Sequence, residues 1–177
     1  YVGAYYWTMN PISNYENNIK SALFPEIFKL FGNLTYSKSV NVNLDELQIK
    51  SEIIPNYGFE FFEDYIGGKV AGVDLEMFYA KLTSDHNNQQ PSLNNTKFEG
   101  LMIILSMNKN FSGRTIIKKD AGKVGNLLER RISKYENVKL ESGAFEKIFE
   151  VYSSDQVEAR YLLTTAFMEK LIEVSEV

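Results

Sequence analysis

The residues best suited to chemistry in this 177-residue chain are the carboxylates Glu60, Glu63, Asp64, Asp74 and Glu76. General acid–base work, or a metal held by acids, needs two or more such groups converging on one point. Glu63 and Asp64 are adjacent in a strand-like run, which sends them to opposite faces. Asp74 and Glu76 do share a face, the polar side of an amphipathic strand, which normally meets solvent. A metal pair drawn from Glu60, Glu63, Asp74 and Glu76 would have to be assembled across a hairpin, and their spacing gives it no support. His86 is the only histidine; it stands between Asp85 and Asn87 in a polar stretch with no rigid partner to orient it. Gly67-Gly68-Lys69 lacks the earlier glycine and the following hydroxyl of a phosphate-binding loop. Gly122-Lys123-Val124-Gly125 precedes a helical pattern, where free amides hold anions, but the rest of a nucleotide fingerprint is missing. Both read as turn and cap glycines. No serine sits in a G-x-S-x-G elbow. There is no cysteine, which removes disulfides, thiolate metal sites and a cysteine nucleophile. No catalytic, cofactor or metal site is expected.

Charge is the stronger asymmetry. Between Gly113 and Leu140 eight basic residues (Arg114, Lys118, Lys119, Lys123, Arg130, Arg131, Lys134 and Lys139) face three acids, a local net charge of +5 in a chain of net charge −4. The first seven are the candidate anionic-surface residues. Such a segment serves nucleic acid, anionic lipid or an acidic protein surface, or it is an ordinary solvated helix with flanking strands. A pI near 5.2 makes nucleic acid the poorest of these partners.

Positioning elements follow from apolar spacing. From Tyr15, Ile19, Leu23, Ile27, Leu30 and Phe31 recur at helical steps, with Pro25 expected to kink the helix or split it. A second helix is capped by Asn43 with Glu46 and must stop before Pro55. A third carries Val124, Leu127, Leu128 and Ile132. A fourth starts at Asp155 with Glu158, another capping box, and Thr164-Thr165 interrupts it. Phe61–Val70 and Val73–Leu82 form a hairpin through Ala71-Gly72. Phe98–Met107, with its apolar run Leu101–Leu105, reads as a central strand covered on both faces. Arg114–Lys118, Val138–Leu140 and Phe145–Tyr152 complete the strands, and Thr83–Thr96 reads as an exposed loop. Helices, hairpin-linked strands and helices again predict an α+β fold: a mainly antiparallel sheet with helices at the N-terminus, in the middle and at the C-terminus.

Length and 44% hydrophobic content suit one domain with its own core, expected over 15–177 with residues 1–14 as a membrane-proximal segment. The N-x-S/T triplets at Asn33, Asn94 and Asn110 are expected by chance in an Asn-rich chain. No stretch is long and apolar enough to span a bilayer. Tyr1, Tyr5, Tyr6 and Trp7, however, form the aromatic cluster typical of a membrane interface, which reads as the end of an anchoring segment.

The segment Phe145–Leu171 (FEKIFEVYSSDQVEARYLLTTAFMEKL) resembles a bacterial family catalogued as domain of unknown function 3137. Glu63-Asp64-Tyr65-Ile66 with Gly68-Lys69, and Phe98-Glu99-Gly100-Leu101 through Asn108-Lys109-Asn110-Phe111-Ser112-Gly113-Arg114-Thr115, resemble it too. The likeness runs from about Tyr15 to Leu171, departing from the family at Thr165, where a Pro is common. It implies a bacterial inner-membrane protein with hydrophobic segments ahead of this domain and the domain itself in the cytoplasm. It brings no activity, cofactor or site residue. The reading that results is a non-catalytic, membrane-tethered interaction module whose partner is an anionic membrane surface or a membrane protein, without nucleic acid. The alternatives are a small-molecule or lipid-binding domain walled by the aromatic sheet, and a metal-dependent hydrolase using the hairpin carboxylates.

Overall fold

The computed structural model describes residues 18–40, 42–84, 95–106, 109–119 and 132–176. The aromatic start, His86, the glycines at 122–125 and most of the third expected helix lie outside them. Contacts gather the chain into two compact units: Tyr1–Glu46 with Asn56–Asn108, and Leu47–Pro55 with Lys109–Val177. The fold is α+β, with a separate antiparallel sheet in each unit.

In the first unit a helix over residues 18–29 (α1) precedes a four-stranded meander. Its strands, β1 (Asn33–Ser37), β2 (Phe59–Val70), β3 (Val73–Thr83) and β4 (Thr96–Ser106), pair in sequence order. Ala71 and Gly72 both take positive φ, 49° and 83°, the backbone that a two-residue turn needs to match the twist of its strands. Phe78, Ala80 and Leu82 on β3 are fully buried, and the ring of Phe62 stands edge-on to Phe78 at 5.5 Å. Asp74 and Glu76 lie on the same face of β3 as these three, so that face is polar at one end and core at the other.

Three expectations change here. Gly67 and Gly68 are not turn glycines but lie within β2. Gly68 has φ +149°, and a Cβ there would stand 2.1 Å from the Asn33 carbonyl, so the close approach of β1 demands glycine. Leu101–Leu105 is not a central strand. Among the described residues β4 pairs with β3 alone, and Leu101, Ile103 and Leu105 are more than half exposed while their neighbours turn inward. A continuous apolar run does not distinguish a strand buried on both faces from an edge strand; sheet order decides that. Pro25, finally, neither splits nor ends α1, which is helical throughout residues 18–29.

The second unit holds the sheet β5 (Thr115–Lys119), β7 (Phe149–Ser153) and β6 (Glu136–Asn137), with β7 central. Phe145, expected in a strand, lies instead in a short helix α3 (Gly143–Glu146), whose N-cap Ser142 accepts from the Phe145 amide. The last two helices are α4 (Gln156–Leu162) and α5 (Thr165–Ser175). The expected break falls at Leu163-Thr164 because Thr164 caps α5, its Oγ1 accepting from Phe167 N. Val138, Phe145, Val151, Ala159, Leu163 and Met168 form the core of this unit. The remaining helix, α2 (Leu44–Ser51), starts where Asn43 Oδ1 accepts from Glu46 N at 3.1 Å and ends at Glu52, whose φ is +59°.

Candidate functional site

Four of the seven candidate basic residues are described, and each is engaged within its own unit. Arg114 and Lys134 converge on Glu52: Arg114 Nη1 pairs with Oε1, and Lys134 Nζ lies 2.5 Å from Oε2. Tyr135 OH donates to Oε2 at 2.8 Å and accepts from Arg114 Nη1 at 3.1 Å. Arg114 Nη2 also donates to the Lys50 carbonyl. Hydrogen bonds from Lys134 and then Tyr135, with Arg114 adding to them, hold Glu52 at about 2, well below its ordinary 4.5. Hydrogen bonding to Tyr135 and Glu52 raises Arg114 in turn. Two β5 side chains complete the set: Lys118 pairs with Glu150 at 2.9 Å, and Lys119 donates to the Ser175 carbonyl at the end of α5. Lys123, Arg130 and Arg131 lie outside the described residues. Among the described residues Arg114 and Lys134 are thus clasped by Glu52, and Lys118 is paired with Glu150.

The hairpin carboxylates are held separately. Asp74 pairs with Lys69 at 3.3 Å, and Glu76 acts on Tyr65, whose hydroxyl is raised by burial and then by that charge. Glu63 and Asp64 depart from the alternation rule. The ladder shifts register between Glu63 and Ile66, Asp64 takes φ +57°, and Lys20 Nζ of α1 then reaches both, at 3.8 and 2.5 Å. Tyr36 OH also donates to Asp64, at 2.6 Å. Among the described residues no three of His, Asp and Glu come close enough to share a metal ion.

Two surfaces were not foreseen. On α1 the stripe expected to be buried faces outward: Ile19, Leu23 and Ile27 are 42%, 51% and 37% exposed, and Leu30 and Phe31 in the next turn are more so. The seated side is the one carrying Phe24 and Phe28; the Phe24 ring packs edge-on against Tyr36 of β1 at 5.1 Å. Periodicity located an apolar face but α1 has two, and only the sheet decides which is covered. In the second unit, a cleft of about 540 Å³ opens between the Lys139–Ser142 loop, the end of α4 and the start of α5. Lys139 belonged to the basic segment in sequence; Arg160 and Thr165 carried no signal.

Residues 96–177 match the family described as "Protein of unknown function (DUF3137)". This part of the chain is similar to that family. The match covers β4 and the second unit from Lys109 onward, whereas the resemblance read from sequence began near Tyr15. DUF3137 carries no stated activity, so it assigns no role to the clasp or the cleft. No curated protein and no solved structure matches the chain. Among the described residues no helix is long and apolar enough to cross a membrane.

Proposed function

We propose that this chain is a non-catalytic, membrane-tethered interaction module, held at the cytoplasmic face of a bacterial inner membrane. The observation that carries this reading is the outward apolar row Ile19, Leu23, Ile27, Leu30 and Phe31 on and just after α1. A helix that packs Phe24 against Tyr36 of its own sheet and still presents an apolar row outward suits the headgroup–acyl boundary of a bilayer. The aromatic cluster Tyr5, Tyr6 and Trp7 earlier in the sequence, and the likeness of the chain to its family, support the same partner. Arg114, Lys118, Lys119 and Lys134 are engaged internally, so the reading rests on apolar burial rather than on these four cations.

Vesicle co-sedimentation tests this. The protein should bind neutral and anionic vesicles within a few-fold of one another, with weak dependence on salt. Leu23→Glu combined with Ile27→Glu, at exposed positions that leave the packed side of α1 intact, should lower binding tenfold or more. No binding to either vesicle, or binding untouched by the double substitution, would overturn the reading.

A further inference from the structure

We infer that the cleft of the second unit is a binding site for a monoanionic amphiphile, a molecule with one carboxylate or phosphodiester beside an apolar chain. Its floor is apolar, formed by Leu140 with the buried Leu163 and Met168, and its rim carries Lys139, Arg160 and the hydroxyls of Ser142 and Thr165. A volume of about 540 Å³ lies within the range of roughly 300–1,000 Å³ found for small-molecule sites. A pocket that is apolar below and cationic above is the complement of an amphiphile, since the chain leaves water and the charge is met at the mouth.

The cations here differ from those of the clasp. Arg114, Lys118 and Lys134 each have a carboxylate partner. Among the described residues Arg160 makes hydrogen bonds only to the Gln156 side chain and carbonyl, at 3.1 and 3.3 Å, and Lys139 acts on Glu150 through space but forms no hydrogen bond or ion pair. Two positive charges at one cleft without a matching carboxylate bond are groups whose charge a ligand can still neutralise. Glu141 also lines the cleft, which brings its net charge to +1 and favours a ligand with a single negative charge over a dianion. The first turn of α5 holds no acidic residue, so its unpaired amides add to the same preference.

This inference goes beyond membrane docking by α1 and does not rest on it. The test is amide NMR of the full chain titrated with octanoate, with 1-octanol as the uncharged control, and with anionic or neutral vesicles in separate arms. Octanoate should shift the amides of Ser142, Thr165 and Ala166 saturably at millimolar concentration or below, while octanol binds at least tenfold more weakly. Lys139→Gln and Arg160→Gln should each weaken octanoate about tenfold, the loss expected for one charged hydrogen bond. The Leu23→Glu, Ile27→Glu chain should bind octanoate normally, which separates this site from the α1 surface. Octanoate binding identifies a free carboxylate as sufficient; the same shifts from anionic vesicles alone identify a lipid headgroup as the source. Shifts from neither, equal binding of octanol, or binding unchanged in a folded Lys139→Gln, Arg160→Gln double variant would each overturn the inference.

Discussion

Glu52 is the residue on which the basic segment turns. It sits at φ +59°, an uncommon backbone for a side chain of its kind, and Lys134, Tyr135 and Arg114 hold its carboxylate there. Its carboxyl is held at about 2 against an ordinary 4.5, so folding favours the charged form. The stability this contributes is fully present above pH 4.5 and is lost as the pH falls from there toward 2. Thermal melts of the natural chain and Glu52→Gln across pH 2–7 should therefore show a Tm difference that is largest near neutrality and closes between pH 4.5 and 2. A difference that stays constant through that window would refute the role given to Glu52. Sequence made the cations visible as a cluster, but not their partner, because Glu52 is 83 positions from Tyr135 and only the folded chain brings them together.

At the scale of elements, caps and turns were the most legible features. Asp155 Oδ1 accepts from Val157 N and Glu158 N, as its place before α4 implied. Glu158, however, does not reach back to complete the box; its carboxylate takes the amides of Ser112 and Gly113, tying the start of β5 to α4. A capping signal is local, whereas the choice between two partners for one carboxylate is tertiary. The same division explains β4, where β-propensity was clear and burial was not. Leu82→Ala on β3, at a fully buried position, should cost about 2–5 kcal/mol, while Ile103→Thr on β4 should change stability by no more than about 0.5 kcal/mol. Denaturant unfolding of the two variants checks the pair. Comparable losses would mean that the outer face of β4 is packed in solution.

For the whole molecule, length and composition pointed to one core, yet the contacts fall into two units, and Leu47–Pro55 joins the unit whose remaining residues begin at Lys109. Nothing local marks that stretch, since the reason it belongs there is the distant set Arg114, Lys134 and Tyr135. Compact units of this kind tend to open as separate cooperative blocks. Native-state hydrogen exchange under rising denaturant should resolve two sets of amides, one from β2 and β3 and one from β7 and α4, with distinct opening free energies. A single merged isotherm would show that they unfold as one.

The meander of the first unit also bears on the order of events during synthesis. The β2–β3 ladder closes at Val70 and Val73 and the β3–β4 ladder at Thr83 and Thr96, while β1 pairs with β2 from Ser37 to Tyr65, and none of the three needs anything beyond Ser106. Such pairings form early and fast, whereas the Glu52 clasp must close a loop of more than eighty residues. A ribosome releasing this chain would thus present a paired first sheet while Glu52 still waits for Arg114 and Tyr135 to emerge. Refolding should then show the β2–β3 amides protected before the clasp forms.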